Sequence, residues 1–78
     1  MQKKQTAAQA VAMANEYFQG RCVARVTDFG NRVTFDIPGA DSIDAVGDQV
    51  FEIERFKKLL ENLENGIQRF AAKANKQL

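Results

Sequence analysis

Residues 53–74 read IERFKKLLENLENGIQRFAAKA, and their spacing decides the architecture. Ile53, Phe56, Leu60, Leu63, Ile67, Phe70 and Ala74 recur at alternating steps of three and four, which is how one face of a helix reads. The opposite face carries Glu54, Arg55, Lys58, Glu61, Asn62, Asn65, Gln68 and Arg69, all polar. Val50, Leu59 and Ala71 broaden the apolar side beyond the narrow seam of a coiled coil. Asn65-Gly66 is the stop signal inside the run, but the apolar phase continues across it. A Schellman ending there would set Ile67 against Asn62 or Glu61, not against an apolar partner. The helix is therefore read through Gly66, at a local cost of ~1 kcal/mol relative to alanine. Its start falls anywhere from Asp48 to Glu54 and is read at about Asp48, giving a helix over about 48–76. Phe51 is out of phase with the stripe and shares a face with Ile53 only if that piece is extended.

Upstream, Thr6 and Gln9 form a capping-box pattern that opens a first helix over about 6–19. Ala7, Val11, Ala14 and Phe18 share one face, Ala10 and Met13 widen it, and Gly20 is placed to end the helix in a left-handed conformation. The alternation then changes to period two. Cys22, Ala24 and Val26 oppose Arg21, Val23, Arg25 and Thr27 over about 21–28, and Val33, Phe35 and Ile37 oppose Arg32, Thr34 and Asp36 over about 31–37. Asp28-Phe29-Gly30-Asn31 supplies the turn, with Gly30 and Asn31 the residues suited to positive φ. Pro38-Gly39 ends the second strand. Residues 39–48 read two ways: a helical turn capped by Asp41 or Ser42, or a brief third strand from Asp44 to Val46. The fold class is α+β: an N-terminal helix, an antiparallel hairpin and a long C-terminal amphipathic helix packed on the sheet.

Seventy-eight residues make a single domain, with 45% hydrophobic and 27% charged residues, the balance of a folded chain. Lys3 and Lys4 ahead of an alanine-rich stretch resemble a signal peptide only loosely, because Gln9 interrupts a short, weakly apolar run. No stretch approaches the ~20 apolar residues of a membrane span. The expectation is a complete cytoplasmic protein without membrane attachment. Without histidine and with Cys22 alone, zinc sites of the common kinds and histidine-activated nucleophiles cannot be assembled. Phosphate-binding and dinucleotide glycine motifs are missing as well. The Asp28-Phe29-Gly30 triplet sits in a turn of a chain far too short for a kinase. Asp41, Asp44 and Asp48 lack the alternate spacing and closing glutamate of a calcium loop. No enzyme, metal or cofactor is expected, and Cys22 reads as a small buried hydrophobe.

A formal net charge of +1 gives no global pull toward nucleic acid, so any electrostatic role belongs to local patches. From Val33 to Glu54 there is no lysine or arginine, while Asp36, Asp41, Asp44, Asp48, Glu52 and Glu54 supply six acids. These acids suit a helix N-terminus and solvated loops, and equally a surface that docks on a basic partner. Arg21, Arg25 and Arg32 form the opposite feature, an outward arginine face able to follow a phosphate backbone, though without interleaved aromatics for base stacking. A helix of ~27 residues is ~40 Å long, while a domain of this size is ~30 Å across. Leu63, Ile67, Phe70 and Ala74 thus mark a helix end available to a second copy or to another partner. The leading expectation is a non-enzymatic interaction or regulatory protein, using the acidic region and the apolar helix face to bind another protein. Inhibitors encoded by phages and plasmids, of the anti-CRISPR kind, form one such class. The alternative is a dimeric nucleic-acid-binding protein that uses the arginine face.

Overall fold

In the computed structural model, residues 3–76 are described, with side chains as far as residue 69. Helix α1 (Ala7–Phe18) opens on a complete capping box. The Gln9 N–H donates to Thr6 Oγ1 at 3.1 Å, and the Thr6 N–H donates to Gln9 Oε1 at 2.9 Å, so two otherwise orphaned donors are satisfied reciprocally. Ala7, Ala10, Ala14 and Phe18 are buried along its inner face. The helix closes on Gln19 at φ 49°, one residue earlier than Gly20, which is also left-handed.

Three strands follow, β1 (Val23–Thr27), β2 (Arg32–Asp36) and β3 (Ile43–Val46), in an antiparallel sheet of order β1-β2-β3. The stretch with two readings is thus a strand. Ala24 pairs with Phe35 and Val33 with Ala45, which brings these four buried residues onto the inner face. The β1–β2 turn departs from expectation. Asp28, Phe29 and Gly30 all have positive φ (54°, 54° and 91°), whereas Asn31 is right-handed at φ −96°.

The helical region after β3 is not one piece. A single turn, α2 (Asp48–Phe51), is separated from α3 (Ile53–Lys76) by Glu52, which is extended at φ −95° and ψ 116°. The cause lies at the other end of the sequence. Residues 3–5 run antiparallel past the break: the Gln5 N–H donates to the Phe51 carbonyl at 2.8 Å, and the Ile53 N–H donates to the Lys3 carbonyl at 3.1 Å. Gln5 Nε2 adds a buried bond to the Val50 carbonyl at 2.8 Å. The strap thereby occupies backbone groups that a continuous helix would have used itself. With Glu52 extended, Phe51 and Ile53 are both half-buried, which accounts for the phase of Phe51.

The core is centred on three rings from three elements. Phe35 of β2 meets Phe18 of α1 edge-on at 6.4 Å and stacks on Phe56 of α3 at 6.0 Å. Val33, Val50, Leu60 and Cys22 complete the set of largest fully buried side chains. Past Leu63, Ile67 is the last described side chain of α3 packed against this core, while the helix backbone continues to Lys76. The Cα radius of gyration is accordingly 13.0 Å and the extents 46 × 26 × 18 Å. A compact chain of this length has a radius nearer ~11.5 Å.

Gly66 lies within α3, and a Cβ built there meets nothing within 4 Å. Gly66→Ala is therefore expected to raise stability by roughly 0.5–1 kcal/mol through helix propensity and a less flexible unfolded chain. The denaturation midpoint in urea should rise with an unchanged m-value.

Candidate interaction surface

The strand register determines where the charges lie. Val23, Arg25 and Thr27 of β1, Arg32, Thr34 and Asp36 of β2, and Asp44 and Val46 of β3 share the outer face. The arginine face and part of the acidic region are consequently one surface. Arg25 Nε donates to Asp36 Oδ2 at 2.7 Å, and Ser42 Oγ donates to Asp36 Oδ1 at 2.7 Å. Thr27, Thr34 and Asp44 form a relay: the threonine hydroxyls are 2.9 Å apart, and Thr34 donates onward to Asp44 Oδ1 at 2.8 Å. Arg32 sits more loosely between Asp28 (3.9 Å) and Asp44 (3.8 Å).

Arg21 does not join the other two arginines. It donates to the Phe18 and Tyr17 carbonyls, lies over the Phe18 ring and pairs with Glu64 of α3. The expected arginine face thus reduces to Arg25 and Arg32, each facing carboxylates.

The six acids are likewise dispersed. Asp36 and Asp44 belong to the outer face. Glu52 is buried at the α2–α3 break, 3.5 Å from Lys4 Nζ, with Arg55 Nε 2.8 Å from Oε2 but too far out of line for a good hydrogen bond. Glu54 contacts Lys57 at 4.0 Å along the helix. Asp41 and Asp48 are exposed on either side of β3 and make no ion pair among the described residues.

Of the helix-end residues, Leu63 is buried in the protein's own core and Ile67 is half-buried against it. The side chains of Phe70 and Ala74 lie outside the described residues.

Tyr17, Val23, Val26 and Val46 are singly exposed apolar side chains, and two further apolar features stand out from them. Phe29 is fully exposed at the hairpin tip, on a left-handed backbone that bulky residues rarely adopt. The sequence carried a signal for it, an aromatic inside a turn of otherwise polar and small residues, although the turn chemistry alone gave no reason to single it out. At the opposite end of the sheet, Ile37, Ala40 and Ile43 face Asn62, Leu63, Gly66 and Ile67 of α3 across an open groove of about 310 Å³.

Cys22 is buried before β1, and burial, followed by the nearby Asp36 charge, pushes its thiol above the usual range. It is held as the unreactive thiol. Among the described residues no group of three potential metal ligands occurs, and no helix is long and apolar enough to cross a membrane. No protein-family model matches the chain, and no curated protein or solved structure shows significant similarity to it.

The hydrogen bond from Arg25, then that from Ser42, holds the Asp36 carboxyl below its ordinary range. A carboxylate with a lowered folded-state pKa contributes stability above its unfolded pKa and loses it as pH falls through the folded one. Asp36→Asn is therefore expected to be less stable than the parent at neutral pH. The gap should close as pH falls through and below the ordinary carboxylate range, as read by urea midpoints across a pH series.

Proposed function

We propose that this chain is a non-enzymatic interaction protein that binds another protein and modulates it, as small inhibitors of the anti-CRISPR kind carried by phages and plasmids do. Phe29 carries this reading. A phenylalanine wholly in solvent contributes no burial to folding, and its left-handed backbone costs of order 1–3 kcal/mol. Neither packing nor turn chemistry accounts for a bulky ring where asparagine or glycine is the natural choice. Burial against a partner does, because aromatic anchors dominate protein interfaces. Asp48 at the start of α2 and the exposed Asp41 add negative charge suited to a basic partner. The end of α3 beyond Ile67 is the part offered to a second copy, in a homodimer.

Phe29→Asn separates this reading from a purely structural one. The variant should be as stable as the parent or up to ~1 kcal/mol more stable. It should nevertheless lose the protein retained by the parent on affinity capture from nuclease-treated native extract. Asp41→Lys with Asp48→Lys should weaken the same capture. If Phe29→Asn retains the partner undiminished, or if only nucleic acid is captured and Arg25→Glu with Arg32→Glu abolishes that capture, the reading is wrong. For the homodimer, sedimentation at tens of micromolar should give twice the chain mass; a strict monomer removes it.

A further inference from the structure

The two edges of the sheet are finished differently. On β1, the side chain of Asn15 from α1 takes the place of a pairing residue at Ala24: Ala24 N–H donates to Asn15 Oδ1 at 2.8 Å, and Asn15 Nδ2 donates to the Ala24 carbonyl at 3.2 Å. On β3, no backbone or side-chain group among the described residues bonds to the side turned away from β2. An open strand edge is a template for another strand. The edge is not a bare backbone alone. Ile43 at its start is partly exposed and forms one wall of the 310 Å³ apolar groove whose other wall is Leu63, Gly66 and Ile67. Side chains of an added strand that point inward would enter this groove, because inward residues of neighbouring strands line up on one face.

The charges specify the occupant. Asp44 lies on the outer face of β3, loosely paired with Arg32 at 3.8 Å, and the exposed Asp41 and Asp48, without ion pairs among the described residues, stand before and after the strand. A second copy of β3 running antiparallel would bring Asp44 close to its own counterpart and Asp41 toward the other Asp48, setting like charges together at the acidic positions. A basic outward face is complementary instead. We infer that the open edge of β3, with the groove between Ile43 and α3, accepts an extended strand of a partner protein that is apolar on its inward face and basic on its outward face. This goes beyond the role of Phe29, which sits at the other end of the sheet, about 17 Å away along the five residues of β2. Backbone pairing would supply the affinity, and the groove and carboxylates the selectivity.

A short capped peptide of alternating valine and lysine is the probe, added to the intact isotope-labelled protein and followed by amide shifts and hydrogen exchange. Shifts should concentrate at Ile43–Val46 and at Gly66 and Ile67, with β3 amides exchanging about tenfold more slowly. The valine–glutamate analogue should bind about tenfold more weakly at low salt, as should the valine–lysine peptide with methylated backbone nitrogens on its pairing edge. Gly66→Leu projects into the groove from a position where an added Cβ meets nothing within 4 Å, so it should fold normally yet lose the peptide. Three results would overturn the inference: no saturable binding up to millimolar peptide, shifts confined to β1 or to the Phe29 tip, or equal binding by Gly66→Leu. If any of these occurs while Phe29→Asn still loses its captured partner, strand addition is wrong and the interaction reading stands.

Discussion

Phe35 is the residue through which the three layers of contact meet. It projects inward from the central strand, edge-on to Phe18 of α1 and stacked on Phe56 of α3. Aromatic pairs of this kind contribute about 0.5–1.5 kcal/mol each beyond their buried area. In a chain this small, where the buried fraction is limited, two such contacts sharing one ring tie both helices to the sheet. The consequence reaches the opposite surface. Side chains alternate along a strand, so an inward Phe35 sends Thr34 and Asp36 outward, and a slip of one residue would exchange the two faces. The Arg25–Asp36 pair and the Thr27–Thr34–Asp44 relay exist because the ring contact fixes that register.

Period and capping were enough to reveal the parts of the fold that depend on local sequence. The 3.6-residue stripe from Ile53 onward, the Thr6–Gln9 box and the two-residue alternation of Val33, Phe35 and Ile37 each specify an element without outside help. Glu52 does not. Its extended backbone is imposed by Lys3 and Gln5, 49 and 47 residues earlier in the chain, and no local preference encodes that pairing. Only the misplaced phase of Phe51 hinted at it. The region around Asp44 had comparable local support for turn and strand, and pairing with β2 decided for strand.

The site was legible as residues but not as a surface. A run of acids and a set of arginines are plain in the sequence, yet whether they repel, reinforce or neutralise one another depends on cross-strand register. Here Arg25 meets Asp36, Arg32 lies between two aspartates, and Arg21 turns toward Glu64 on a different element. Within the run from Asp36 to Glu54, neutralisation leaves Asp41 and Asp48 without ion pairs among the described residues. What distinguishes the surface is therefore less its charge than two apolar features, the Phe29 tip and the groove beside Ile43.

The contrast between the edges gives those features a common logic. An edge strand invites unwanted pairing, and this fold caps one edge at Ala24 with the Asn15 amide. The other edge is blunted by a different device, a short strand bearing Asp44 and flanked by Asp41 and Asp48. Charge of one sign does not forbid all pairing. It disfavours pairing with copies of itself and with acidic strands, and it favours pairing with basic ones. The negative charge that would set β3 against a copy of itself is thus the same property that would select its partner, whereas the amide on Ala24 carries no charge to select with.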